Sequence, residues 1–252
     1  MKLYLDNKIV VVVGGSQGIG LSIVTKFLQE NAFVHVISRN SYYESETKIA
    51  ESYPNNVFFY RSDATDELKL KASRDEILKR TNGEIDVLIA NVGNGRNPVN
   101  PINDQDVWKN SWDTNFETSL NTARVFSPSI KTGSIIFISS ICGIEYVGAP
   151  TDYSVAKAAL ISFSKILSHK LAPNIRVNVV APGNILTKDG TWDKKNKENP
   201  LEVEKMLNEL VPLKRFGTPD EIADTVLFLA SKSASFITGS CITVDGGQTV
   251  RF

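Results

Sequence analysis

Short apolar, β-branched runs recur along the chain at 9–13, 33–37, 57–60, 87–90, 134–138, 177–180 and 241–244. Apolar residues follow one another there without period-two alternation, which marks strands covered on both faces, as in a parallel sheet. Patterns of helical period fill the gaps at 19–31, 67–81, 104–126, 153–171 and 219–230. Strands alternating with helices predict a single α/β domain over residues 1–252, a doubly wound parallel sheet of about seven strands flanked by helices. One segment departs from the pattern. Residues 187–200 are polar except for Trp192, and a helical pattern resumes at 202–210. A polar insertion in a compact domain is either a lid or plain surface, and 187–211 is the candidate substrate lid.

Composition narrows the picture chiefly by exclusion. Twenty-eight basic residues balance 28 acidic ones, so no strong field attracts nucleic acid or an anionic membrane. The N-terminus lacks the apolar core of a signal peptide, and the run 9–13 is too short to span a bilayer. The expectation is a cytoplasmic protein with neither a nucleic-acid nor a membrane partner. Cys142 and Cys241 lie outside any CxxC pattern and read as reduced, buried residues. With His35 and His169 the only histidines, no metal site is expected.

The first strand runs into Gly14-Gly15-Ser16-Gln17-Gly18-Ile19-Gly20, where a helix begins. Glycines at 14, 18 and 20 suit a turn whose backbone must approach a pyrophosphate, and the amides at the helix start favour negative charge. The second strand ends Ser38-Arg39-Asn40, with no carboxylate before Glu44. An acidic residue there would hold the ribose hydroxyls of NAD, whereas Arg39 can pair with a 2′-phosphate, aided by neutral hydrogen bonds from Ser38 and Asn40. NADP(H) is therefore favoured over NAD(H).

Farther along, Tyr153 and Lys157 stand four residues apart on a predicted helix, so both fall on one face. A neighbouring ammonium favours the phenolate and brings a tyrosine's pKa down towards a range useful for proton transfer. Ser140 follows the fifth predicted strand, and Asn115 lies within the helical pattern before it.

The spacing Gly-x-x-x-Gly-x-Gly and the order Asn115, Ser140, Tyr153, Lys157 resemble the short-chain dehydrogenase/reductase family, of the single-domain type with a Rossmann-like sheet. The resemblance covers nearly the whole chain. Val13 stands where the family usually has Thr, and Val92 replaces alanine in Asn91-Val92-Gly93. It implies that Asp63, followed by Ala64, bonds the adenine ring, and that Asn91 and Gly93 line the cofactor. Pro182-Gly183-Asn184-Ile185-Leu186-Thr187 resembles a further element, in which Ile185 and Thr187 would contact the nicotinamide carboxamide.

The implied reaction is hydride transfer between a nicotinamide and a carbonyl/alcohol pair. Ser140 polarises the carbonyl, Tyr153 acts as general acid/base, Lys157 lowers its pKa and holds the ribose, and Asn115 holds a water. Candidate substrate contacts are Asn94, Arg96, Ser140, Ile144, Tyr146 and Trp192. Helix 153–171 is apolar on almost every side and reads as buried all round. The resemblance implies burial against another subunit, in a homodimer or homotetramer, to which Val250 and Phe252 could contribute. Two other function classes remain at this stage: a non-catalytic NADP-binding regulatory protein, and a sugar-nucleotide epimerase or dehydratase.

Overall fold

In the computed structural model, which describes residues 2–41 and 43–250, every apolar run is a strand. They are β1 (Ile9–Val13), β2 (Phe33–Ser38), β3 (Val57–Arg61), β4 (Val87–Ala90), β5 (Gly133–Ile138), β6 (Ile175–Pro182) and β7 (Cys241–Val244). All pair in parallel, in the order β3-β2-β1-β4-β5-β6-β7. Helices α1 (Gly18–Gln29), α2 (Tyr43–Ser52), α3 (Glu67–Arg80), α4 (Gln105–Trp112), α5 (Thr118–Phe126), α6 (Thr151–Leu171), α7 (Thr191–Glu198), α8 (Pro200–Leu210) and α9 (Pro219–Ala230) connect them.

The continuous apolar strands are explained by a core on each face. Val10 and Val12 of β1 pack with Ile23, Phe27 and Val226 on one side. Val11 and Val13 point the other way, to Leu70, Ala123 and Leu160. The strand order reverses between β1 and β4, which opens a crevice at their carboxyl ends.

Five expectations change. Helix α2 escaped the periodicity because, among its described residues, only Ile49 and Ala50 are apolar side chains that pack on the core. The helix expected at 104–126 is interrupted by a π-turn at Asp113–Glu117. The lid region is helical: α7 buries no residue and carries an Asp193–Lys197 ion pair of 2.7 Å, and α8 starts with Pro200 in its first turn. Helix α6 is not covered all round within the chain, since Val155 and Ile166 are 43 % and 59 % exposed. Both cysteines are half-buried. Phe252 lies outside the described residues, and Val250 is exposed. No helix among the described residues is long and apolar enough to cross a membrane.

His35 on β2 is 1 % exposed, stacks on Phe58 with ring centroids 5.0 Å apart, and lies 3.0 Å from the Tyr60 hydroxyl. Burial, and secondarily the Arg80 cation, push its pKa down to about 4. The unfolded chain takes up this proton near pH 6.5, so stability is lost as pH falls from there to about 4, by up to about 3 kcal/mol. His35→Gln is expected to flatten the acid limb of a urea-unfolding series between pH 6.5 and 4. An unchanged limb would refute that assignment.

Candidate active site

The crevice begins at the glycine loop. Gly14 and Gly18 have φ of +86° and +54°, a region L-residues with side chains rarely adopt. A Cβ on Gly20 would stand 2.0 Å from the Gly14 carbonyl oxygen, so only glycine lets α1 tuck beneath the loop. Asn91, at the end of β4, donates from Nδ2 to that same carbonyl at 2.8 Å and ties the two central strands together. Gln17 caps α1 without a side-chain bond, leaving the first-turn amides available to an anion. A cavity of about 490 Å³ opens here, walled by Gly14, Ser16, Gln17, Gly18 and Ile19.

Ser38, Arg39, Asn40, Asp63 and Ala64 line one end of the cavity. The Arg39 guanidinium is largely exposed and stands 3.9 Å from Asp63, whose other oxygen accepts from the Thr65 amide and hydroxyl at 2.9 and 2.8 Å. The Ser38 hydroxyl donates to Asn40 O at 2.9 Å and accepts from Arg61 at 3.2 Å, and Arg61 is paired with the buried Glu46. Sequence reading passed over Arg61 and Ser62. The Ser62 hydroxyl lines the cavity, is buried and has no partner, an orphan that the polar edge of a nucleotide would satisfy. Open glycine backbone, an available cation and this orphan fit a dinucleotide.

Asn91, Gly93, Asn94 and Arg96 line the other end, and Thr187 approaches Gly18 from the lid. Behind Gly93 and Gly95 lies the expected tetrad. Lys157 is 3 % exposed, donates to Ile138 O at 3.1 Å, and stands 5.9 Å from the Tyr153 ring centroid. A Cβ on Gly93 would come within 2.9 Å of Lys157 Nζ, and one on Gly95 within 3.3 Å of the Tyr153 ring. The Ser140 hydroxyl caps the turn after β5, accepting from Cys142 N at 3.3 Å.

Asn115 is fully buried in the π-turn, a feature frequent at functional sites. Its Oδ1 accepts from Asn94 N at 2.8 Å, and its Nδ2 donates to Asn94 O and Ser111 O, both at 3.0 Å. The side chain thus grips backbone.

Other expected contacts lie elsewhere. Gly183 packs on Asp245, and Ile185 is buried and bridges to Gly217. Pro182, Gly183, Ile185, Ile144 and Tyr146 do not line the cavity, and Tyr146 is 92 % exposed. Trp192 packs against Phe216 at 5.5 Å and anchors α7.

The electrostatics differ from expectation. Burial pushes the Tyr153 phenol up, as does the Cys142 thiol, against a lowering by a hydrogen bond from Ser140. Lys157 does not bring it down in the protein alone; burial instead pushes the lysine down to about 8. Folding therefore takes place with fewer protons on Lys157 between pH 8 and 10.5, and stability rises across that window. Below pH 8 the buried ammonium costs about 3 kcal/mol. Lys157→Met is expected to raise the thermal midpoint at pH 7 by about 5 °C, with the margin vanishing towards pH 10.5, while turnover is lost. Calorimetry across pH checks this; a variant less stable than wild type at pH 7 contradicts it.

Known proteins agree with this architecture. The family described as enoyl-(acyl carrier protein) reductase matches residues 13–249. A 3-oxoacyl-[acyl-carrier-protein] reductase of Chlamydia muridarum is 37 % identical, over 98 % of this chain and 100 % of that protein. The structure of L-sorbose reductase from Gluconobacter frateurii, complexed with NADPH and L-sorbose, superposes with a TM-score of 0.91 at 30 % identity, covering 100 % of both chains. A 7α-hydroxysteroid dehydrogenase complexed with NADH gives 0.86 at 28 % identity, over 98 % of this chain and 97 % of that one. The chain belongs to the short-chain dehydrogenase/reductase family and is a nicotinamide-dependent oxidoreductase acting on a carbonyl–alcohol pair.

Proposed function

We propose that the protein interconverts a small-molecule ketone and its secondary alcohol with NADP(H), using Tyr153 as general acid/base. The observation that carries this reading is the packing of Lys157, Asn115 and Tyr153 against Gly93 and Gly95, which line one end of a dinucleotide-sized cleft, with Ser140 beside Tyr153.

When bound, the cofactor supplies the hydride. Ser140 hydrogen-bonds the carbonyl oxygen as negative charge develops there. Tyr153 donates the proton from its hydroxyl, and a phenol held neutral by burial is in the right form for that direction. Lys157 holds the ribose and supplies the local positive charge that the phenolate needs afterwards. Asn115 keeps Asn94 in place and with it the wall of the cleft.

Arg39, exposed and only loosely paired with Asp63, has the freedom to meet a 2′-phosphate, in keeping with the NADPH bound by the L-sorbose reductase. Asn94 and Arg96 border the substrate end, and Arg96 reaches across to Asp189 O of the lid at 2.8 Å. The exposed Val155 and Ile166 on α6 support assembly of like subunits through this helix.

Two measurements test the reading. In an NADPH-oxidation screen over carbonyls including L-sorbose and a 3-oxoacyl thioester, Tyr153→Phe is expected to lower kcat at least about 100-fold; equal activity of variant and wild type overturns the mechanism. In fluorescence titrations, Arg39→Asp is expected to weaken NADPH binding about tenfold or more and leave NADH binding nearly unchanged. An unaltered preference removes Arg39 from the site.

A further inference from the structure

Asp152 precedes Tyr153 in the first turn of α6 and is 2 % exposed. No ion pair among the described residues reaches its carboxylate. Asn103 Nδ2 donates to its Oδ1 at 2.6 Å and Asn97 Nδ2 to its Oδ2. Ser111 and the residue's own backbone amide also favour its charged form. Burial pushes this carboxyl up, but the hydrogen bonds prevail and hold it below the ordinary aspartate value, so it is charged at neutral pH. A buried charge without a counter-ion is costly, and its energetic compensation here comes from neutral donors and the start of a helix.

Those donors lead in two directions. Asn97 and Asn103 belong to the segment after β4, which folds around the carboxylate. Asn103 also donates to Pro98 O at 3.0 Å, and its Oδ1 accepts from Asn100 at 2.9 Å. Ser111 leads inward instead. Its hydroxyl oxygen accepts from Asn115 Nδ2 at 3.4 Å, and its carbonyl accepts from the same amide at 3.0 Å. The Asn115 carboxamide is thus fixed by backbone on both sides, at Ser111 O and at Asn94, with Oδ1 turned to the Asn94 amide. The backbone so gripped runs into Gly93 and Gly95, which lie against Lys157 and Tyr153.

We propose that Asp152 is a positioning residue for proton delivery. It holds the 94–103 segment through Asn97 and Asn103, so that the cleft wall stays seated on Tyr153 and Lys157. The inference rests on the proposed function of that site.

The test combines hydrogen exchange at the Asn94 amide, NADPH titration, and NADPH oxidation with L-sorbose and a 3-oxoacyl thioester as carbonyl probes. Asp152→Asn is expected to speed Asn94 exchange about tenfold or more and to lower kcat about three- to tenfold, with Asp152→Ala lower still. The NADPH dissociation constant should change less than about threefold, because the glycine loop and adenosine contacts are untouched. In an Asn97→Ala, Asn103→Ala background, Asp152→Asn should cost less than about twofold in kcat, since its effect passes through those two carboxamides.

Unchanged protection of the Asn94 amide, or a kcat loss that multiplies in that background, overturns the proposal. Should the Asp152 variants fail to fold, Asn97→Ala carries the same test. It leaves Asn103 on Asp152 and is expected to expose the Asn94 amide with the NADPH dissociation constant unchanged. A fully active Tyr153→Phe would defeat the proposed function instead, and would leave the exchange result standing.

Discussion

The burial of the Lys157 ammonium is the constraint around which the proposed reaction site is arranged. An amine almost without solvent, bonded to the Ile138 carbonyl, needs a strand end on one side and an absence of side chains on the other. The end of β5 supplies the first and Gly93 the second, since a Cβ at that glycine would stand 2.9 Å from the amine. Ser139 reinforces the arrangement by donating to the Lys157 carbonyl at 2.9 Å, which fixes α6 to the same strand end. Tyr153, one turn earlier on α6, inherits its position from that contact.

The parallel sheet makes this possible because every strand delivers its carboxyl end to the same edge. β1 brings the glycine loop there, β4 brings Asn91 and Gly93, and β5 brings Ser140. The reversal of strand order between β1 and β4 keeps the space between them clear of a crossover connection. Dispersed segments of sequence therefore meet in one crevice without long loops. Two cores sustain the sheet, one on each face, and the alternating residues of β1 belong to both.

How legible each part is from sequence follows from where its partners lie. Strands buried on both faces announce themselves as apolar runs, and the glycines at 14, 18 and 20 show through because their constraint is steric and local. Helix α7 is silent because it buries nothing, and α2 nearly so. The π-turn is invisible to a helical period that it shifts by a single residue. Asp152 and Arg61 look like ordinary surface charges in the sequence. Their partners are distant along the chain: Asn103 lies 49 residues from Asp152, and Ser38 lies 23 from Arg61. Only folding brings them together. The lowered phenol pKa expected from the tyrosine–lysine spacing fails for a related reason, since spacing places a charge but says nothing of the desolvation opposing it.

The two ends of the cleft consequently differ in kind. At the glycine loop the fit is set by backbone, through positive φ and a Cβ excluded at 2.0 Å, and little there can adjust without moving β1 or α1. At the other end it is set by side-chain amides, Asn115 on the Asn94 backbone and Asn97 and Asn103 on the Asp152 carboxylate. Such bonds are directional and individually modest, so each constrains orientation more than it contributes stability. A backbone cradle suits a ligand of invariant shape, as a pyrophosphate is. A polar lattice suits a site that must hold a few atoms in register while the outer wall varies with the substrate, and here that wall includes Arg96 and the helical lid it grips.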